Sequence, residues 1–165
     1  MTAALKRRLY RGGRPGRLMR VWNRVDTVLY RLPLLRRSAA AVLTVRGRRS
    51  GRLVQVPVAV AEVDGVAHLV SMLGPGAGWV RNVEAAGGRA RLHWRGRERD
   101  VLLASVPVED RPPVLRRYLA VAPGARPHVG LGPDASLARL RKVADRLPVY
   151  RVLDAASAPP MGEDA

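Results

Sequence analysis

The sequence predicts an α+β domain wrapped around a small antiparallel barrel. Three observations carry this. Short β-prone runs between residues 41 and 108 are punctuated by tight turns suited to hairpins, Asp64-Gly65 above all. The helical periods are few and, apart from one short piece, lie outside those hairpins. No long crossover helix of the kind a parallel sheet requires follows any of these strands. At 165 residues there is room for one hydrophobic core.

The elements follow in order. Residues 1–16 combine Lys6, Arg7, Arg8, Arg11 and Arg14 with Gly12, Gly13, Pro15 and Gly16, and read as a flexible basic arm. Residues 17–32 are expected to form an amphipathic helix: Leu18, Val21, Trp22, Val25, Val28, Leu29 and Leu32 recur at steps of three and four. Arg17, Arg20, Arg24 and Arg31 lie off that stripe, and Pro33 ends it. Such a helix packs on the domain or lies on an anionic membrane surface.

Strands are expected over 41–46, 53–63 and 66–73. Pro57 falls inside the second, and since proline cannot donate to a ladder that strand is on an edge or bulged there. A short helix over 79–86 stops at Gly87-Gly88. Residues 89–95 alternate Ala90, Leu92 and Trp94 with Arg91, His93 and Arg95, a half-buried strand. Gly96 turns the chain into a strand over 100–108. Helices over 109–122 and from about 134, a strand over 148–153 and a frayed tail over 154–165 complete the chain, so that 17–153 is one domain.

Composition narrows the chemistry. There is no cysteine, which excludes disulfides and thiolate sites and fits a reducing cytoplasm. His68, His93 and His128 lack metal-ligand spacing. The net charge is +17, from 30 basic and 13 acidic residues, and suits an anionic partner. Lys6 and Lys142 are the only lysines, and phenylalanine and isoleucine are absent. A GC-rich coding bias gives that composition too, so the charge does not choose the anion. No apolar run reaches the roughly 20 residues that span a bilayer, and no signal peptide is expected. The Gly-x-Ser-x-Gly and His-Glu-x-x-His patterns of hydrolases are missing.

Three segments could carry function. Gly47-Arg48-Arg49-Ser50-Gly51 places two arginines and a hydroxyl on a turn, a grip for phosphate or carboxylate or else a solvated hairpin tip. Gly74-Pro75-Gly76-Ala77-Gly78 precedes a helix, where glycines admit a ligand to the backbone and the helix start favours an anion. It is neither a dinucleotide fingerprint nor a P-loop, and a flexible connection would look the same. In Trp79-Val80-Arg81-Asn82, Trp79 and Asn82 share a helix face and could hold a planar ring, or sit in the core.

Taken together, Leu43-Thr44-Val45-Arg46-Gly47-Arg48-Arg49-Ser50-Gly51, Pro57, Leu69-Val70-Ser71 and Trp79-Val80-Arg81-Asn82 resemble the deazaflavin-dependent nitroreductase family, over roughly residues 38–152. The resemblance implies a split β-barrel, akin to flavin-mononucleotide-binding proteins, with peripheral helices. It implies a deazaflavin-dependent oxidoreductase using coenzyme F-420 (8-hydroxy-5-deazaflavin), with a hydride passed to a quinone or nitroaromatic acceptor. Arg48, Arg49, Ser50 and Gly51 would face the cofactor's phosphate and polyglutamate tail. Pro57, Ser71 and Met72 would line the ring, with Gly76, Gly78 and Arg81 alongside and Trp79 and Asn82 closing the pocket. Ser71 would be a proton donor or a substrate anchor. This chain departs from the family pattern in having Met72 where many members have lysine, in its glycine-rich loop, and in lacking tyrosines over 122–131.

Other readings of the same residues are an FMN or haem binder of this fold and a basic module for nucleic acid or membrane. Nucleic acid is disfavoured by the lack of an aromatic stacking platform, with aromatics only 4% of residues. The expected location is the cytoplasm, with residues 17–32 able to reach a membrane surface, and a homodimer suits the fold.

Overall fold

Two arginine-rich turns and one Asp-Gly turn organise the hairpins of this chain. A computed structural model describes residues 39–155; the basic arm, the helix expected over 17–32 and the tail from 156 lie outside them. Strand β1 (Ala40–Arg46) pairs antiparallel with β2 (Leu53–Val63), Val42 opposite Pro57. Asp64 and Gly65 both take positive φ, 50° and 76°, as the two-residue hairpin turn demands, and lead into β3 (Val66–Val70). Helix α1 (Gly78–Ala85) crosses to β4 (Arg89–Trp94), which turns into β5 (Arg97–Ser105).

That second turn corrects the expected start of β5. Arg95 takes φ 51° and Gly96 φ 75°, so the turn needs only two residues and the strand begins at Arg97 rather than Asp100. At its far end β5 stops at Ser105, just before Pro107, instead of running to Val108. β3 stops at Val70 rather than Leu73, because the chain turns at Gly74 (φ 78°), whose N–H donates to Ser71 O.

A single 3₁₀ turn (Val108–Asp110) leads into α2 (Arg111–Val121), where Pro112 and Pro113 occupy the first turn and forgo donors that have no helical partner there. After it come a 3₁₀ turn (Pro123–Ala125), the one-turn α3 (Arg126–Val129) and α4 (Leu137–Arg141), which Ser136 caps by accepting from Arg139 N–H. The helix expected from about 134 is thus shorter, and a 3₁₀ turn (Ala144–Arg146) continues it. β6 (Val149–Asp154) closes the order and extends one residue beyond the expected strand, taking in Asp154.

The strands form a closed antiparallel barrel in the order β1-β2-β3-β6-β5-β4, sealed where Ala41–Thr44 meet Trp94–Arg91. Alternation sorts the side chains. Leu43, Val45, Leu69, Leu92, Val101 and Leu103 fill the interior with Val80 and Val83 of α1. Each such burial contributes roughly 1.5–3 kcal/mol. A second core lies outside the barrel: Leu115, Tyr118 and Leu119 of α2 and Leu140 of α4 cover Ala61, Val70 and Val149. One barrel end is closed by α1. At the other, Arg95 stacks over Trp94, 4.1 Å from the ring centre, and pairs with Glu62 at 2.9 Å. No helix among the described residues is long and apolar enough to cross a membrane.

Candidate functional site

The α1 end of the barrel gathers the turn after β1, the first part of β2, the loop after β3, and the start of β6. β2 changes partner midway: residues 53–59 pair with β1 and residues 60–63 with β3. Among the described residues no strand pairs with the other edge of 53–59. The direction of the ladder is set by Val60 N–H donating to Ala39 O and Gly47 N–H to Arg52 O. Even-numbered residues of β2 therefore bond toward β1, and odd-numbered ones face the open edge. Pro57 is odd, so its missing donor costs the ladder nothing. The proline read as an edge signal sits on one. Leu53 and Val54 are exposed there, while Val56 and Val58 lean on the interior core.

The turn is built by its own backbone. Gly51 N–H donates to Gly47 O at 2.8 Å, and Arg46 Nη1 to Gly51 O at 2.8 Å. Gly51 holds φ 67°, which favours glycine, and a Cβ at Gly47 would crowd the Arg52 carbonyl at 3.2 Å and displace Ser50 Oγ. Ser50 Oγ accepts from Arg52 N–H at 3.3 Å. Arg49 and Arg52 are exposed, and no carboxylate among the described residues forms an ion pair with them. Arg48 turns to α1 instead: its backbone N–H and its Nη1 both donate to Asn82 Oδ1, at 3.3 and 2.9 Å.

The loop after β3 is equally constrained. Ser71 is buried, its N–H donating to Pro148 O at 3.0 Å and its Oγ to Gly74 O at 2.8 Å. Its proton is thus engaged within the loop. α1 then starts at Gly78 without a capping side chain, Ala77 standing at the cap position, and without an acidic residue in its first turn. Arg81 folds back over Gly76, where a Cβ would lie 3.7 Å from Nη2. Met72 packs against the outer helical layer and is set apart from the rest. Residues 46–52 and 74–81 together hold Arg46, Arg48, Arg49, Arg52 and Arg81 and no carboxylate.

Trp79 lies half-buried with its ring edge-on to Tyr150, centroids 5.7 Å apart at 63°. The Tyr150 hydroxyl donates to Glu84 Oε1 at 3.5 Å. Burial first, then the Glu84 charge, pushes that phenol up to about 12. Sequence reasoning missed Tyr150. Its alternation with Arg151 marks it as inward-facing, but nothing local places it against Trp79. A surface hollow of about 490 Å³, lined by Arg126, Leu131, Ser136 and Arg139 among others, belongs to the outer helices and includes none of these residues.

Arginines without carboxylates suit a phosphate or carboxylate group, and an exposed apolar strand edge at the barrel end that carries α1 and its tryptophan suits a flat ring. The donor set therefore fits an anionic, ring-bearing molecule.

Comparison with known proteins agrees in kind. The family model for F420H(2)-dependent quinone reductases matches residues 20–128. No curated protein matches the sequence. Among solved structures, an F420-H2 dependent reductase, FDR-A, is 19% identical with a TM-score of 0.47, over 69% of this chain and 93% of that one. A protein of unknown function from Agrobacterium tumefaciens str. C58 is 16% identical with a TM-score of 0.54, over 79% of this chain and 54% of that one. A structure described as a domain-swapped dimer is 18% identical with a TM-score of 0.50, over 80% and 97%. At such identities the latter two show a shared fold.

Proposed function

The chain belongs to the F420H(2)-dependent quinone reductase family, and from that premise we propose that it is an oxidoreductase that binds reduced coenzyme F-420 along the open edge of β2. The acceptor is a small organic molecule, a quinone or nitroaromatic. The observation that carries this reading is an arginine turn free of carboxylates, tied to α1 through Arg48 and Asn82, leading into a strand whose other edge is bare.

The deazaflavin supplies the hydride when bound. The chain's residues bind and orient. Arg48, Arg49 and the Ser50-Gly51 backbone hold the phosphate and acidic tail by charge-assisted hydrogen bonds, about twice as strong as neutral ones. Along residues 53–59 the N–H groups of Leu53, Gln55 and Ala59 and the C=O groups of Leu53, Gln55 and Pro57 are offered to the polar rim of the ring. Trp79, backed by Tyr150, forms an apolar wall that keeps water from the reacting carbon. Ser71, its proton engaged with Gly74, shapes the loop around Gly76 and Gly78.

Fluorescence titration of purified coenzyme F-420 tests this, with FMN alongside. Wild type is expected to bind F-420 in the micromolar range and to oxidise its reduced form when a soluble quinone is added. Arg48→Ala/Arg49→Ala should lose at least about tenfold in affinity, or roughly 1.4 kcal/mol. Binding of FMN but not F-420 by the wild type would overturn the assignment.

A further inference from the structure

Two segments separated by 34 positions meet at one oxygen, since Asn82 Oδ1 accepts both the backbone N–H and Nη1 of Arg48. Asn82 lies on α1, itself fixed by Val80 and Val83 in the interior core, and is only 8% exposed. Within the turn that carries Arg48, Gly51 N–H donates to Gly47 O and Arg46 Nη1 to Gly51 O, and Gly47 N–H donates to Arg52 O just before β2.

Resting on the reading above, we propose that Asn82 is a positioning residue that acts through Arg48, rather than a residue that closes the pocket around the ring. A guanidinium has five N–H donors in a rigid fork. One is used on Asn82, and the others are left pointing in a direction the core has set. Binding then spends less conformational entropy on Arg48 than on a free surface arginine. The neutrality of the amide is part of the device. A carboxylate at this position would hold the guanidinium more firmly but would cancel its charge, whereas an amide orients Arg48 and leaves it cationic for a phosphate. The anion itself is met by Arg48, with Arg49 and Arg52 exposed beside it on the same turn.

The test compares two probes, coenzyme F-420 and 8-hydroxy-5-deazaflavin carrying only its ribityl chain, which has the ring but no phosphate or glutamates. Asn82→Ala should weaken F-420 about five- to tenfold and leave the phosphate-free probe within about twofold. Asn82→Asp should keep the melting temperature yet weaken F-420 at least as much as alanine. In an Arg48→Ala background, Asn82→Ala should cost nothing further. Equal weakening of both probes would show that Asn82 serves the ring and would overturn the proposal. So would effects of Asn82→Ala and Arg48→Ala that simply add. Wild type binding neither probe would overturn the cofactor reading and this inference together. Wild-type binding with additive variants would overturn the tether alone.

Discussion

The two parts of β2 are similar in composition and differ in what covers them. Residues 53–59 bond to β1 and expose Leu53 and Val54 on a bare edge. Residues 60–63 bond to β3, with Ala61 fully buried beneath the outer helical layer. Valines populate both, so local hydrophobicity does not decide which part is covered. The deciding event comes later in the chain: after Val70 the backbone follows β6, with Ser71 N–H donating to Pro148 O, and leaves β2 behind. The gap is a property of topology, and the candidate site occupies it.

The strongest test of this contrast is a charge placed in each part. Ala61→Asp would bury an unpaired carboxylate and is expected to cost about 3–5 kcal/mol. Val54→Asp, at 38% exposure, should change stability by no more than about 0.5 kcal/mol. Urea unfolding followed by circular dichroism reads both, and comparable losses would break the distinction. A middling effect is expected from Arg111, which fastens the helical layer: its Nε donates to Val106 O, and its Nη1 to Ala144 O and Leu147 O. Arg111→Met leaves these carbonyls without that donor and should cost about 2 kcal/mol. Coenzyme affinity should hold within twofold, and a large drop would mean the covered part and the open part are not independent. The smallest effect concerns Pro57→Ala, expected to lower stability by about 0.5–1 kcal/mol through the freer unfolded chain alone. A loss above 2 kcal/mol by the same assay would show that the proline does more than sit on an open edge.

Much of the architecture was legible because its signals are local. Asp64-Gly65 dictates its hairpin whatever surrounds it, and Pro57 marks a strand position that lacks a ladder donor. The arginine turn was visible as a turn and as a cationic one. Its internal division was not, since Arg48, exposed like Arg49, is hydrogen-bonded to an asparagine 34 residues on. Tyr150 behind Trp79 escaped notice for the same reason, because barrel closure brings β6 to α1. The start of β5 was misplaced for a different one. Arg95 adopts a positive φ that few non-glycine residues take, and a propensity argument assigns that freedom to Gly96 alone.

A ladder that uses every second amide along residues 53–59 has a consequence in time as well as in space. The amides of Val54, Val56 and Val58 lie on the β1 side, while those of Leu53, Gln55 and Ala59 face the gap. Neighbouring protons on one strand then exchange with solvent on separate clocks, the first set at the pace of barrel opening and the second at the pace of water. Any molecule that settles along the edge shields the second set directly, beyond the general slowing that binding imposes on barrel opening, and so writes its footprint on alternate residues.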